Sequence, residues 1–261
     1  MRRLKKQWQG CENLKTRVRK ITFVLEKQYG VPRREYSREP LDILIETVLS
    51  QNTNDQNRDR AYRRLKSRFP RWEDVLEGKT RSVVSAIRPG GLAEQKARRI
   101  REILHWIKER EGRLSLFFLK KMDDEEIKKM IGGLKGIGPK TLHCLLLFGL
   151  GKEAFPVDTH VLRTGKRLGF IPERMDAEKA HQWMAPLIPK GKSLSLHLNL
   201  IRFGRSVCKA KKPSCDACFV SDGCLYVNSS AGPLATPVFV ARDRGKSLTR
   251  LHKAHVEGNQ G

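Results

Sequence analysis

The sequence predicts an all-α protein with two helical domains and a cleft between them. Along most of the chain, apolar residues recur at intervals of three and four, as they do on one face of a helix. A glycine-rich hairpin separates two of these stretches, Asp123 to Ile131 and Thr141 to Phe148. One segment, Ser193 to Leu200, alternates with period two and taken alone indicates a strand, but no second strand is visible to pair with it.

The balance of charge indicates a polyanionic partner. The 261 residues include 53 Lys+Arg against 28 Asp+Glu, a formal net charge of +25, and a nucleic acid is the first partner to consider. The longest apolar run, Leu142 to Leu150, is interrupted by His143 and is far too short to cross a membrane. The basic N-terminus has no apolar segment after it, so we expect no secretion and a reducing compartment: the cytoplasm, associated with the nucleoid, if the source is prokaryotic.

The helices before the hairpin are predicted from their apolar faces. Leu41 to Leu49 is apolar on nearly all sides, which predicts a buried helix that ends at Ser50. An arginine-rich helix follows around Ala61, Leu65 and Phe69, and we expect its outer face to be solvated. Two further apolar faces are predicted: Val18, Ile21, Phe23, Val24 and Leu25 near the N-terminus, and Ala97, Ile100, Ile103, Leu104 and Ile107 after a turn at Ile87 to Leu92.

The hairpin itself is the segment Leu134-Lys135-Gly136-Ile137-Gly138-Pro139-Lys140-Thr141. Acidic residues open the helix before it, where they suit the positive end of the helix dipole, and two glycines close it. Pro139 is allowed in the first turn of the second helix because no amide is needed there. Gly136 and Gly138, on either side of Ile137, let the backbone approach a bulky partner, and the free N–H groups at the start of the second helix suit a phosphate.

Four cysteines have the spacing of a metal site. The pattern is C-x6-C-x2-C-x5-C, formed by Cys208, Cys215, Cys218 and Cys224. This compact wrap suits a [4Fe–4S] cluster better than zinc, whose structural sites more often join two C-x2-C-like knuckles across a longer loop. Zinc remains an alternative, and disulfides are the least expected in a reducing compartment. Cys11 and Cys144 have no partners at ligand spacing, so we expect a free surface thiol and a small core residue.

Together with Val157-Asp158-Thr159-His160, the hairpin resembles the helix-hairpin-helix and Gly/Pro-Asp loop of DNA base-excision glycosylases, in particular the iron–sulfur branch that contains endonuclease III. The likeness runs from about Pro40 to Tyr226. It implies the helix-hairpin-helix DNA glycosylase fold, with a helix at Ser193 to Leu200, and the four cysteines match the family's [4Fe–4S] cluster loop. Residues 229–261 are too short and too polar for the extra domain of the adenine-removing relatives, which counts against that branch.

Lys140 and Asp158 fit the chemistry of removing a base. Cleaving the bond between a base and C1′ of its sugar builds positive charge on the ring, so a carboxylate must stabilise that charge and a nucleophile must capture C1′. If the nucleophile is an amine, the adduct is a Schiff base, and elimination of the 3′ phosphate nicks the strand. The dipole at the start of a helix disfavours the charged form of Lys140, and we expect partial burial in a cleft to do the same.

Each candidate also has a plainer structural interpretation. Lys140 could be an ordinary solvated lysine, and Asp158 could cap the helix that begins near His160. His160 itself could contact the extruded base or the DNA backbone, or it could be structural. The resemblance favours catalysis, because it implies that a lysine at this position makes a bifunctional glycosylase with AP-lyase activity.

The resemblance also implies further DNA contacts. In the family an amide side chain fills the gap left by the extruded base; its glutamine aligns with Asn52, with Gln51 one position earlier, and either could instead cap the helix end. Leu92 resembles the wedge leucine that props the duplex open, although a leucine could equally pin this turn to the core. The loop between the first two cluster cysteines carries three lysines that could contact phosphates or be only solvated: Lys209, Lys211 and Lys212.

We therefore predict a bifunctional base-excision repair enzyme that removes oxidised or ring-damaged pyrimidines and cleaves the abasic strand by β-elimination through a Schiff base on Lys140. Its partner is double-stranded DNA with a damaged base or an abasic site, and it acts as a monomer away from membranes. The alternatives are a uracil or thymine mismatch glycosylase of the same fold and a non-catalytic DNA-binding protein. The predicted domains are a helical barrel at 40–150, an iron–sulfur cluster domain at 1–39 plus 151–228, and a disordered basic tail at 229–261.

Overall fold

The computed structural model describes residues 13–33 and 38–229, and every regular element in these residues is helical, which confirms the all-α fold class. Cys11 and the tail beyond Ser229 lie outside the described residues. No helix in the described ranges is both long and apolar enough to span a bilayer. The α-helices are α1 (Leu14–Tyr29), α2 (Pro40–Ser50), α3 (Asp55–Arg68), α4 (Trp72–Glu77), α5 (Thr80–Ile87), α6 (Ala93–Glu111), α7 (Asp124–Gly132), α8 (Pro139–Cys144), α9 (Thr159–Leu168), α10 (Ala177–Met184) and α11 (Ser193–Ser206).

Short turns of other helix types connect or extend these elements. A π-helical turn continues α8 directly, so the second helix of the hairpin has a widened end. The turn that precedes α6 is the one predicted to carry the wedge leucine. The 3₁₀ turns are Arg88–Gly90, Phe117–Lys121, Ala185–Leu187 and Ser221–Gly223, and the π-helical turn is Leu145–Gly149.

Two separate clusters of buried apolar side chains organise the helices. The first, which we call lobe A, is built mainly from residues between Leu41 and Ala154. The second, lobe B, combines the buried residues of α1 with those between Phe155 and Cys224. The N-terminal helix therefore packs with the part of the chain that follows lobe A. The predicted domain limits agree with this arrangement in outline, and the boundaries themselves stay a prediction.

Helix α11 contains the segment that alternates with period two, and the helix implied by the resemblance is confirmed. The alternation misleads because α11 is buried on nearly all sides, so its leucines do not mark a single face. Two of the polar residues between them have partners on or next to α1. The Ser195 hydroxyl donates to the Glu26 carboxylate at 2.5 Å, and the Asn199 amide donates to the Gly30 carbonyl at 3.0 Å. These contacts join α1 to the centre of lobe B.

Helix α1 has the predicted apolar face, with one exception. Val18, Ile21 and Leu25 are buried, whereas 67% of Phe23 is exposed. Residues on one helix face are three or four positions apart, and Phe23 is two positions from both Ile21 and Leu25. The prediction that Phe23 belongs to the apolar face is therefore wrong.

Candidate active site

The hairpin between α7 and α8 has the conformation that its glycines predict. Gly136 has a φ of +87°, so the backbone favours glycine, and a Cβ there would lie 2.7 Å from Cδ of Arg99 and displace that side chain. The Ile137 side chain is buried in lobe A, which fixes the hairpin to the core. Gly138 is exposed and precedes α8, so its backbone is open to a partner. The structure thus places a free helix N-terminus on the surface, as the phosphate-binding interpretation requires.

Lys140 and Asp158 line the same cleft, whose volume is about 1360 Å³. Lys140 is in the first turn of α8, and Asp158 is the residue before α9. The Asp158 Oδ1 atom accepts a hydrogen bond from the Val161 N–H at 2.7 Å, so the predicted N-cap is confirmed. The Lys140 side chain is exposed, and the expectation that it is partly buried is wrong for the free protein. Its place in the first turn and at the cleft leaves the amine open to a ligand.

Two buried histidines form part of the cleft wall and were not singled out in the sequence. His181 and His197 contact the same peptide unit: the Val157 N–H donates to Nδ1 of His181 at 3.2 Å, and Nδ1 of His197 donates to the Pro156 carbonyl at 2.9 Å. His197 is close enough to Asp158 and Lys140 for both charges to act on its titration. The lysine and the aspartate therefore lie near one buried ring, which supports a shared site.

The two rings predict a loss of stability in mild acid. Burial lowers the pKa of both His181 and His197 from the ordinary value of 6.5 to about 4. At His197 the Asp158 carboxylate partly opposes the lowering of the pKa. At His181 the nearby His143, His197 and Lys140 lower the pKa further. Below pH 6.5 the unfolded chain therefore binds protons that the folded chain does not bind. Stability is complete above that pH and decreases as the pH falls towards 4.

Urea unfolding between pH 7 and pH 5 tests this expectation. Replacing His197 with Asn removes one titrating group, so the free energy of unfolding should vary less steeply with pH, by up to about 1.4 kcal/mol per pH unit. An exposed histidine provides the control: His105→Asn should leave the slope as it is in the wild type. Equal slopes in all three proteins would contradict the assignment of His197 as a buried neutral ring.

The two candidates for the gap-filling amide, both in the loop after α2, have different environments. The Gln51 side chain is bound to the protein: its Nε2 donates to the Gly136 carbonyl at 3.0 Å, and its Oε1 accepts from Arg99 at 2.9 Å. Asn52 is exposed, lines the cleft and has a left-handed φ of +52°. Gln51 therefore ties the loop to the hairpin, whereas Asn52 is exposed at the cleft, and its contact with DNA stays a prediction.

Leu92 is exposed, as the wedge interpretation requires. Its exposed fraction is 53%, and it has a left-handed φ of +50° directly after Gly91 with a φ of +70°. A non-glycine residue in this region is strained by about 1–3 kcal/mol, and such strain concentrates at functional sites. The alternative, that Leu92 pins the turn to the core, is contradicted by its exposure.

The cysteine loop is fastened to α9, the helix that Asp158 caps. Arg167 donates to the Lys209 carbonyl at 2.7 Å and to Sγ of Cys208 at 3.4 Å, and the Cys224 thiol donates to the Arg167 carbonyl at 3.3 Å. Burial raises the pKa of the Cys215 thiol, and the nearby Cys208 and Cys224 raise it further. The thiols therefore lie near one another, while the three lysines of the loop are exposed: Lys209, Lys211 and Lys212.

The arrangement of the thiols fits an iron–sulfur cluster. Each thiolate of a [4Fe–4S] cluster binds a different iron, so the cluster accommodates four thiols that are spread over one compact loop. When bound, the cluster crosslinks the four cysteines and orders the segment between them. The other described cysteine, Cys144, is buried as predicted.

His160 connects the cleft to the cysteine loop. Its ring lines the cleft, and its Nδ1 is 3.2 Å from an Arg163 nitrogen. Arg163 also donates to the Gly204 and Cys208 carbonyls at 2.9 and 3.2 Å. This position agrees with both interpretations of His160, a structural residue and a DNA contact, and the contact stays a prediction.

A helix-hairpin-helix beside a cleft with a lysine and a capping aspartate is the arrangement of a base-excision DNA repair protein, and comparison with known proteins agrees. The model of the HhH-GPD superfamily base excision DNA repair proteins matches residues 45–190. A second model, the iron–sulfur binding domain of endonuclease III, matches residues 208–224, so the four cysteines hold a [4Fe–4S] cluster. The chain belongs to the HhH-GPD superfamily of base excision DNA repair proteins.

Its relatives are glycosylases of the endonuclease III type. The chain is 41% identical over 172 residues to an Arabidopsis thaliana protein named as a DNA glycosylase; the match covers 66% of this chain and 59% of that protein. It is 32% identical over 195 residues to endonuclease III of Thermotoga maritima, covering 75% of this chain and 87% of the relative. The structure is also similar to that of endonuclease III in a non-covalent DNA complex, with 28% identity, a TM-score of 0.69, and coverage of 81% and 95% of the two chains.

Proposed function

We propose that this protein is a bifunctional DNA glycosylase and AP lyase that removes oxidised or ring-damaged pyrimidines from double-stranded DNA. The observation that carries the proposal is the meeting of Lys140 and Asp158 in one cleft between lobe A and lobe B. The amine attacks C1′ of the flipped nucleotide, and the carboxylate stabilises the positive charge that develops on the sugar. The amine displaces the base, the C1′–O4′ bond then opens to give a Schiff base on Lys140, and loss of a C2′ proton expels the 3′ phosphate and cleaves the strand.

The DNA-contacting residues support this assignment by their positions. Asn52 lies at the cleft, and Leu92 is exposed on a turn beside the loop that carries Asn52. We propose that Leu92 enters the duplex as a wedge while Asn52 fills the gap that the extruded nucleotide leaves. The hairpin and the three loop lysines then hold the phosphates on either side. A solved structure similar to this chain is a trapped covalent intermediate of endonuclease III with DNA, and it is consistent with the same chemistry here.

Borohydride trapping tests the proposed reaction. Borohydride reduces a Schiff base to a stable amine, so the wild-type protein should form a covalent adduct with duplexes that contain thymine glycol or an abasic site. In parallel reactions without borohydride, the same duplexes should be nicked without added alkali. The lysine that carries the DNA, identified by peptide mapping, should be Lys140.

A substrate panel separates this proposal from its alternatives. Duplexes with uracil or thymine opposite guanine should be processed far more slowly than thymine glycol. The reverse order would favour the mismatch glycosylase. Tight binding with no adduct, no nicking and no alkali-revealed loss of a base on any duplex would leave only a non-catalytic DNA-binding protein.

A further inference from the structure

A buried lysine joins the two segments that carry Leu92 and Asn52. Lys96 is in the first turn of α6, and only 1% of it is exposed. Its ammonium group donates to the Leu49 carbonyl at 2.7 Å and to the Gly90 carbonyl at 2.8 Å. Lysine is almost never fully buried unless its charge is paired, and here both partners are main-chain carbonyls. Burial accordingly lowers the pKa of Lys96.

Each carbonyl stands just before a residue expected to enter DNA. Leu49 is in the last turn of α2, where carbonyls have no helical partner and the negative end of the dipole favours a cation. Asn52 follows three residues later. Gly90 ends the 3₁₀ turn, and Leu92 follows two residues later.

The absence of a side chain at Gly90 also favours the hydrogen bond between Lys96 and the Gly90 carbonyl. A Cβ on Gly90 would lie 3.2 Å from the Cβ of Ala61 and 4.0 Å from Nζ of Lys96, so glycine permits the close approach. The next two residues, Gly91 and Leu92, are both left-handed. A strained turn of this kind persists only when surrounding contacts stabilise it, and the hydrogen bond from Lys96 to the Gly90 carbonyl is one of these contacts.

We propose that Lys96 is a positioning residue that fixes the distance between Leu92 and Asn52, so that the wedge and the gap filler enter the duplex together. The inference rests on the proposed function, because it assumes that a nucleotide is flipped. Extrusion from paired DNA requires both side chains at once, and a displacement of about 1 Å is enough to impair such an arrangement. Where the target base is already unpaired, the same displacement has little effect.

The test compares one lesion in two contexts. Thymine glycol is placed in a fully paired duplex and in a bubble of unpaired bases, and kcat/KM is measured for each. Lys96→Met keeps the length of the side chain but removes its donors, so kcat/KM on the paired duplex should fall by about 10- to 100-fold, the scale on which a misplacement of about 1 Å acts. On the bubble the fall should be less than about 3-fold, because extrusion is no longer required.

Lys152→Met is the matched control. Lys152 also donates to a main-chain carbonyl, that of Met122 at 2.7 Å, and pairs with the Asp124 carboxylate at 2.9 Å, but it contacts neither of the segments that carry Leu92 and Asn52 through these bonds. Its ratio of paired to bubble activity should equal that of the wild type. Leu92→Ala, on an exposed residue, should reproduce the loss that is specific to paired DNA. A folded Lys96→Met protein that loses activity equally in both contexts, or in neither, would overturn the inference.

Two further measurements keep the test decisive. If Lys96→Met does not fold, Gly90→Ala replaces it, since the added methyl would lie 3.2 Å from the Cβ of Ala61 and should shift the turn that carries the Gly90 carbonyl. If the wild-type protein cleaves nothing, the proposed function fails, and base extrusion is followed instead by 2-aminopurine fluorescence beside the lesion in bound duplexes. The positioning role is supported if the fluorescence increases at least about 10-fold more with the wild-type protein than with Lys96→Met. Equal increases in fluorescence refute it.

Discussion

Replacing Lys140 with glutamine is expected to lower strand nicking and the borohydride-trapped adduct by about 10³-fold or more, the scale at which loss of a catalytic nucleophile acts. Glutamine has nearly the same length but cannot form a Schiff base. The side chain is exposed, so the fold should not depend on it, and the melting temperature should stay within about 1 °C. The affinity for duplex DNA should fall only by the contribution that one phosphate contact makes to binding.

Lys135→Gln is the control for the lost charge. Lys135 is an exposed lysine of the same hairpin, so both variants remove one cation close to the DNA. The slope of log affinity against log salt should become shallower by about 1 or less in each. Only Lys140→Gln should lose the adduct. Wild-type nicking by Lys140→Gln, or an adduct mapped to another lysine, would contradict the proposed nucleophile.

The local elements of the site could be predicted from sequence because they depend on neighbours in the chain. The glycines of the hairpin, the proline in the first turn of α8 and the aspartate before α9 determine backbone conformation within a few residues. In the same way, the short spacing of the four cysteines limits how far apart their thiols can lie. The hairpin and the cluster loop were therefore predicted together with the residues that carry them.

Contacts between distant residues could not be predicted in this way. Gln51 and Asn52 are adjacent and chemically alike, and they differ because a carbonyl 85 residues away occupies Gln51. The histidine pair depends on His181 and His197 reaching the two sides of one peptide unit. One residue that the sequence analysis did not identify, Lys96, could have been recognised from its position in the sequence. Lys96 is a charge on the apolar face of α6, four positions before Ile100, and a charge in that register indicates a buried partner.

Asp158 shows why a structural role does not exclude a catalytic one. Its Oδ1 caps α9, and its charge also reaches the ring of His197 on the cleft wall. The cap holds the carboxylate in one orientation at the cleft, which is the condition for electrostatic stabilisation without reorganisation during the reaction. A variant that keeps the cap and removes the charge can separate the two roles.

Asp158→Asn is that variant. Asparagine caps a helix about as well as aspartate, so the melting temperature should change little, whereas Asp158→Ala should lose about 1 kcal/mol. Excision of thymine glycol should fall by about 10²- to 10³-fold, the effect of removing one group that stabilises charge in a transition state. Nicking of a preformed abasic site should fall less, because the bond to the base is already broken. Single-turnover rates on the two substrates measure both effects.

Asp176→Asn provides the control, because Asp176 caps α10 through an equivalent hydrogen bond, from the Lys179 N–H at 2.8 Å, but is not part of the cleft wall. Both variants remove one negative charge from a strongly basic protein, so any general gain in DNA affinity should be shared. Only Asp158→Asn should lose excision. If the two variants excise thymine glycol at the same rate, Asp158 is a helix cap alone, and the charge on the sugar must be stabilised by another group.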